Sequence, residues 1–228
     1  MNRFFVEPGT VTGERFPLPA AIAHQVTRVL RLQTGDEIVV LEGDGVEARC
    51  RLDRDGGLRV MARTPATGEP RHRLIVAQAL LKGDHLEPVI RHGTEVGVAR
   101  FELIVSERCV ARDLSAARLT RLRAVAREAA EQCERGMVPA VEAPVPLAAV
   151  IGPRSVLLDA RASVPGLGAL PAPERLIIGP EGGFTPAEMA AAERAGTMIA
   201  GLGPRILRSE SVAVAAAAVV LSRTGDFA

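Results

Sequence analysis

The chain has 228 residues, enough for one large or two modest domains with a sizeable core. Its 28 basic and 27 acidic residues give a formal net charge of +1, which excludes the strongly basic footprint of a generic nucleic-acid binder. Trp and Tyr are absent and Phe supplies all six aromatic residues, so RNA recognition by an aromatic stacking platform is disfavoured.

The sequence also limits the compartment. No apolar run approaches the roughly 18 residues of a membrane span, and the N-terminus lacks the apolar block of a secretory signal. Cys50, Cys109 and Cys133 lie far apart, without the spacing of metal ligands. We therefore expect a reduced, cytoplasmic protein without a metal site or a membrane anchor.

Short strands separated by turn signals dominate the first 69 residues. A single helix-like segment, residues 20–32, interrupts them, and "TPATGEP" (64–70) has the composition of a linker. The pattern predicts a small β-barrel or curled sheet in residues 1–69 and a second domain in residues 70–228. The predicted strands cover residues 3–7, 37–42, 47–53 and 58–63.

From residue 73 onward, apolar strand-like runs alternate with helices. Asp84, with Glu87 three places on, predicts one helix start, and Ser115 predicts the start of a long Arg/Ala-rich helix that ends near Gly136. Further strands are predicted at "LIVAQAL", "FELIV", "SVLLDA" and "LII", and the chain closes with an Ala-rich helix. This alternation is typical of an α/β domain with a mostly parallel sheet.

The stretch "LIIGPEGGFTPAE" (176–188) combines a strand, a Gly-rich turn and a helix that carries a capping box at Thr185 and Glu188. It matches neither G-x-G-x-x-G nor a phosphate-binding loop, and Glu181 would repel a phosphate. The turn therefore suits a neutral or cationic ligand, although a plain strand-to-helix connection explains it equally well. Because ligands of open α/β sheets lie beyond the carboxyl ends of strands, three strand ends are candidate sites: 158–160, 179–183 and 202–208.

Several motifs in a fixed order resemble the RsmE family of ribosomal RNA methyltransferases, which belongs to the SPOUT class. They are "RVLRLQTGDEI" (28–38), "TEVGVARFELIVSERC" (94–109), "EQCERGMVP" (131–139), "GPEGGFTPAE" and "LGPRILRSES". The resemblance implies an α/β chain: an RNA-binding, PUA-like β-barrel, then a SPOUT domain with a parallel sheet, a deep trefoil knot and a homodimer interface. It implies methylation of N3 of a uridine in 16S rRNA, on the 30S subunit, with S-adenosyl-L-methionine as cofactor.

The same resemblance implies a cofactor site made of three loops. Glycines permit close approach of the backbone to adenine, apolar side chains at 202, 206 and 207 would enclose the ring, and a cationic sulfonium would tolerate Glu181. The residues that match these loops are Leu158, Ile178, Gly179, Pro180, Glu181, Gly182, Gly183, Leu202, Gly203, Ile206, Leu207 and Ser209.

Two residues of the last motif are candidates for catalysis. Arg208 would stabilise the anion that develops on the pyrimidine, and Glu210 would polarise the N3–H group. The alternatives are a salt bridge at a helix start for Arg208 and a favourable acid in the first helical turn for Glu210.

Candidate RNA contacts match the family motifs at Arg28, Arg31, Lys82, Arg91 and Arg108. Arg108 could instead brace the cofactor site, and the barrel arginines could simply solvate its surface. His92 stands where the family usually has lysine, which would weaken a phosphate contact. Glu131 and Arg135 also match motif positions, and structural pairing is the favoured explanation for them.

Two other functions stay open. One is a different SPOUT activity, such as ribose 2′-O methylation or methylation of a tRNA base. The other is a non-catalytic module that binds RNA or the ribosome.

Overall fold

The structure is a computed structural model that describes residues 1–160 and 164–227. These residues form two compact units. Unit 1 comprises Met1–Glu69 and Ala130–Val138, and unit 2 comprises Pro70–Ala129 and Pro139–Ala228.

Unit 1 contains a five-stranded sheet in the order β1-β3-β4-β5-β2. Its first pair, β1 with β3, is parallel, and the other pairs are antiparallel. Alternating burial along β4 indicates one packed and one solvated face. The core includes Phe4, Val26, Ile38 and Leu58. The strands are β1 (Asn2–Phe5), β2 (Arg15–Pro17), β3 (Glu37–Leu41), β4 (Val46–Leu52) and β5 (Gly57–Pro65).

The four strands predicted in this unit are present, but β2 was missed because three residues carry too little pattern to detect. The predicted helix at 20–32 is shorter. It consists of α1 (Ala20–His24) and a π-helical turn, Gln25–Val29.

The segment 130–138, which the sequence placed in the second domain, is part of unit 1. The Glu131 carboxylate accepts the Phe5 backbone N–H at 2.9 Å. Arg135, only 3% exposed, donates to Glu69 at 2.9 Å, and the same carboxylate accepts the Met137 N–H. A buried guanidinium of this kind needs its partner, so the structural role favoured for Glu131 and Arg135 is confirmed.

Unit 2 contains a six-stranded, all-parallel sheet in the order β11-β9-β10-β6-β7-β8. Its central strands are buried along nearly their whole length, as expected for a sheet covered on both faces. The strands are β6 (Ile75–Ala79), β7 (Arg100–Val105), β8 (Ala140–Pro146), β9 (Ser155–Leu158), β10 (Arg175–Ile178) and β11 (Met198–Ala200).

The strand order explains where a ligand site can form. The chain runs outward from β6 to β8, then returns to the other side of β6 and places β10 between β6 and β9. The carboxyl ends of β9, β10 and β11 therefore become neighbours, with a change of direction beside β6. Such switch points are where open α/β sheets bind ligands.

The helices of this part of the chain are α2 (Leu86–Glu95), α3 (Ala116–Gln132), α4 (Pro186–Arg194) and α5 (Ser209–Arg223). The Thr185 hydroxyl accepts the Glu188 N–H, and the Glu188 carboxylate accepts the Thr185 N–H, so the predicted capping box is confirmed. Ser115 caps α3 as predicted. The predicted side-chain cap by Asp84 is wrong, because α2 begins after His85 without a side-chain cap.

Candidate active site

An open cavity of about 270 Å³ lies in unit 2, beyond the carboxyl ends of β9 and β10. All twelve residues that the family motifs assign to the cofactor line it. Five further lining residues were not predicted: Asp159, Ala160, Phe184, Arg205 and Val212. Asp159, Ala160 and Arg205 lie within the three strand-end segments singled out from the sequence, but no residue-level signal distinguished them.

The turn after β10 needs its glycines. Gly183 has φ of 66°, and its N–H donates to the Pro180 carbonyl at 2.9 Å. A Cβ on Gly182 would lie 3.2 Å from the Cβ of Arg108, and one on Gly179 would lie 3.1 Å from the Phe184 ring. Positive φ and close contacts therefore hold this turn as a thin, backbone-lined wall of the cavity.

Arg108 follows β7 and braces that wall. Its guanidinium donates to the carbonyl oxygens of Gly182 at 3.1 Å and Phe184 at 3.2 Å. The structure thus provides the bracing role that the sequence offered as an alternative to an RNA contact.

Loops after β6 and β7 attach to the same wall. The Glu181 carboxylate accepts the Lys82 backbone N–H at 3.2 Å, while the Lys82 side chain is exposed. The Glu188 carboxylate accepts the Glu107 N–H at 2.7 Å, in addition to its role in the capping box. Since these bonds join segments more than 80 residues apart, sequence patterns could not predict them.

The third loop forms an apolar and cationic rim. Ile206 is 83% exposed, an unusual position for an isoleucine in a folded chain, and Leu202 and Leu207 are half-buried beside it. Arg205 is exposed and has no acidic partner within 4 Å in the part of the chain that the structure describes. The rim therefore offers both an apolar surface and a free positive charge.

Arg208 and Glu210 flank the cavity rather than line it. Arg208 is the N-cap residue of α5, and its side chain is 83% exposed with the Glu210 carboxylate 3.9 Å away. Glu210 also lies 3.6 Å from Nδ1 of His85, and its side chain is 21% exposed. A loose ion pair at the helix start, the alternative considered from the sequence, is thus present. His85 was not predicted.

The remaining candidates for RNA contact are surface residues. Arg28 and Arg31 are exposed in unit 1, where Arg31 has φ of 53°. Arg91 lies 3.8 Å from Glu128 in unit 2. His92, at the departure from the family pattern, pairs with Glu95 at 2.9 Å. None of these four cationic or neutral side chains lines the cavity.

Neither a metal-binding cluster nor a membrane-spanning helix is found in residues 1–160 and 164–227. They contain no cluster of three or more His, Cys, Asp or Glu that could hold a metal ion. Within the same residues, no helix combines the length and apolarity needed to cross a bilayer.

Comparison with known proteins identifies the family. The model of an RNA methyltransferase domain matches residues 68–221, and that of an RNA methyltransferase PUA domain matches residues 18–57. The chain belongs to this RNA methyltransferase family. It is 34% identical to ribosomal RNA small subunit methyltransferase E of Synechocystis, over 96% of this chain and 76% of the relative. It is 31% identical to the Bacillus subtilis protein of the same name, over 98% of this chain and 97% of the relative.

Solved structures agree with this assignment. The small subunit methyltransferase E of Neisseria gonorrhoeae, bound to S-adenosyl methionine, superposes with a TM-score of 0.88 at 26% identity over 98% of both chains. A Legionella pneumophila protein solved in complex with the same cofactor superposes with a TM-score of 0.85, at 26% identity over 97% of both chains. The predicted fold class, a PUA-like domain followed by an α/β methyltransferase domain with a parallel sheet, is confirmed. The trefoil knot stays a prediction.

Proposed function

We propose that this chain transfers a methyl group from S-adenosylmethionine to N3 of a uridine in 16S rRNA, acting in the cytoplasm as a homodimer on the assembled 30S subunit. The observation that carries the proposal is the single cavity lined by every residue that the family motifs assign to the cofactor. The SAM-bound methyltransferases with the same fold support it.

The cavity fits a ligand that joins an apolar ring to a cation. Gly182 and Gly183 have no side chain, so a ligand can approach the backbone of this turn closely, as adenine recognition by backbone requires. Leu202 and Ile206 offer apolar surface to the ring. The Glu181 carboxylate places a negative charge at the wall, which favours a sulfonium over a phosphate. When bound, S-adenosylmethionine supplies an electrophilic methyl group.

Arg205 is suited to the other end of the cofactor. S-adenosylmethionine ends in an α-carboxylate, and a guanidinium binds a carboxylate through two parallel hydrogen bonds. Arg205 lines the cavity and is exposed, with no acidic partner within 4 Å among the described residues. We assign it to that carboxylate.

The reacting uridine must lose its N3 proton as the new N–C bond forms, so an anion develops on the ring. Arg208 stands between Leu207 and Ser209, which both line the cavity. Its exposed side chain and loose ion pair leave it free to turn toward a uracil oxygen, since an exposed pair at 3.9 Å is worth little. Glu210, held between Arg208 and His85, is the candidate for polarising N3–H.

Phosphate contacts would position the RNA while the uridine turns into the site. Arg28, Arg31 and Lys82 are exposed and suited to such contacts, and Arg91 is half-exposed. Arg108 is reassigned to bracing the turn, because its guanidinium donates to the main-chain carbonyls of Gly182 and Phe184.

The reaction is tested with small subunits from cells that lack this protein. The subunits are incubated with the protein and labelled S-adenosylmethionine, and the modified nucleoside is identified after digestion. N3-methyluridine is the expected product. A ribose-methylated nucleoside or a different methylated base defeats the proposal in favour of another SPOUT activity. Absence of label, with cofactor binding intact in a titration, favours a non-catalytic module.

The homodimer is tested separately by sedimentation at micromolar concentration. The middle of α5 carries four consecutive alanines, of which Ala216 and Ala217 are buried inside the subunit, while Ala215 and Ala218 are partly exposed and leave room for a partner's helix. A sedimenting species of about twice the chain's 24.1 kDa is expected. A single species at the monomer mass would count against the dimer alone.

A further inference from the structure

Three arginines form a continuous row across the sheet of unit 1. In the strand register Arg15 of β2 is opposite Arg59 of β5, and Arg59 is opposite Arg51 of β4. Directly opposed residues project from the same face of a sheet. Arg15, Arg59 and Arg51 therefore stand side by side, each with about half of its side chain exposed. We call these three residues the arginine row.

Such a row is unfavourable for the isolated domain. Like charges directly opposite each other on neighbouring strands destabilise a sheet. Acidic residues relieve part of the repulsion: Asp53 lies 2.8 Å from Arg15 and 3.4 Å from Arg59, and Glu37 lies 2.8 Å from Arg51. The bond from Arg51 holds the pKa of the Glu37 carboxyl below its usual range, so Glu37 carries its charge there.

Positive charge nevertheless remains in excess on this surface. Arg54, at the tip of the β4–β5 turn, has no acidic partner within 4 Å in the described residues, and Arg49 lies 3.9 Å from the already paired Glu37. Residues 1–69 carry nine arginines and ten acidic residues, so they are slightly acidic as a whole. Five of the nine arginines lie on this one surface with only three of the acids, which are Glu37, Asp53 and Asp55.

The arginines also share a depression. An open groove of about 590 Å³ is lined by nine residues, four of them arginines. The lining comprises Arg15, Thr34, Gly35, Arg51, Leu52, Asp53, Arg54, Asp55 and Arg59. A concave cationic surface whose arginines start from three neighbouring strands, with about 4.8 Å between one backbone and the next, fits a chain of anions better than a single one.

We propose that the arginine row and Arg54 form a phosphate-binding surface for the backbone of the RNA substrate. The proposal rests on the proposed function, which supplies the RNA, and extends it to residues outside the family motifs. Guanidinium forks bind phosphate oxygens bidentately. Contacts of this kind set the register of a nucleic acid on a protein without reading its sequence.

The test compares a double variant with a matched control of equal net charge. Arg54→Gln/Arg59→Gln removes the unpartnered arginine and the centre of the row. The control, Arg154→Gln/Arg194→Gln, removes two exposed arginines of unit 2. Affinity for small subunits from cells that lack this protein is measured from 50 to 200 mM salt, and S-adenosylhomocysteine affinity is measured in parallel.

For the double variant we expect about tenfold weaker RNA binding at low salt. The slope of log K against log salt should fall by about 1 for each lost phosphate contact, so by about 2. The control should stay within about twofold of wild type with an unchanged slope. S-adenosylhomocysteine affinity should be unchanged in both. The melting temperature of Arg59→Gln should hold or rise, because a row of like charges has been interrupted.

Each other outcome has a distinct meaning. If the double variant matches the control in RNA affinity and in the slope of log K against log salt, the proposal is overturned while the proposed function stays intact. Competition by polyglutamate as strong as by RNA of equal charge overturns it in favour of an acidic protein partner. If the wild-type protein does not bind these small subunits, the proposed function fails first. If the double variant unfolds, the binding test is repeated with the single variant Arg54→Gln. This change affects only an exposed turn residue and should leave the fold intact.

Discussion

Replacing Arg108 by alanine tests whether this residue braces the cofactor turn or contacts RNA. Alanine keeps the Cβ that lies against Gly182 and removes the guanidinium. The carbonyls of Gly182 and Phe184 then lose donors that stand at 3.1 and 3.2 Å. The wall of the cavity should become more mobile, and cofactor binding would have to order it again.

The size of the effect follows from these two bonds. A hydrogen bond from a charged donor contributes about 1.5–3 kcal/mol when buried. Because Arg108 is exposed, water competes for its donors, and the net contribution of each hydrogen bond falls to about 0.5–1 kcal/mol. The total of about 1–2 kcal/mol corresponds to a dissociation constant for S-adenosylhomocysteine that is roughly 5- to 30-fold higher.

Isothermal titration with S-adenosylhomocysteine measures this constant, and rRNA affinity is measured on the same preparations. Arg194→Ala serves as the control, because it removes an exposed arginine from the end of α4. The bracing role predicts weaker cofactor binding with rRNA affinity close to that of the control. Unchanged cofactor affinity together with a large loss of rRNA affinity would show that Arg108 contacts RNA instead of bracing the turn.

Four further predictions concern the core and the rim. In Gly93→Ala the new Cβ would lie 2.7 Å from the ring of buried Phe101, so urea unfolding should show a loss of about 1–3 kcal/mol; an unchanged midpoint contradicts this packing. Gln78→Leu removes a buried Oε1 that has no hydrogen-bond partner among the described residues, but also the Nε2 donor that bonds the Ala79 carbonyl at 3.1 Å, so the two effects offset and the free energy of unfolding should change by less than about 1 kcal/mol; a loss above 2 kcal/mol argues against this balance. Burial raises the pKa of the Cys50 thiol to about 11, so iodoacetamide should not label this thiol at pH 8 in the folded protein, and rapid labelling at pH 8 contradicts this. The stability that the neutral buried thiol contributes is complete below pH 9 and should decrease as the pH rises towards 11. Arg205→Ala should weaken S-adenosylhomocysteine about tenfold and leave 5′-methylthioadenosine, which lacks the carboxylate, unchanged, whereas equal losses for both would show a merely structural role.

Local chemistry explains what sequence alone predicted well. The capping box at Thr185 and Glu188 and the Gly-rich turn before it depend on bonds between residues a few places apart. The alternation of strands and helices depends on periodicity within single segments. Local patterns failed where the signal was short or ambiguous: β2 has three residues, and Asp84 has the composition of a cap but does not act as one.

Tertiary structure alone decided which distant residues meet. The sheet order makes the ends of β9, β10 and β11 neighbours and so turns three separate motifs into one cavity. It also places Arg108 against carbonyls 74 and 76 residues away, and aligns Arg15, Arg59 and Arg51 across three strands. Strand order is set by packing of the whole domain rather than by any one segment, so contacts between distant strands leave no periodic trace in the chain.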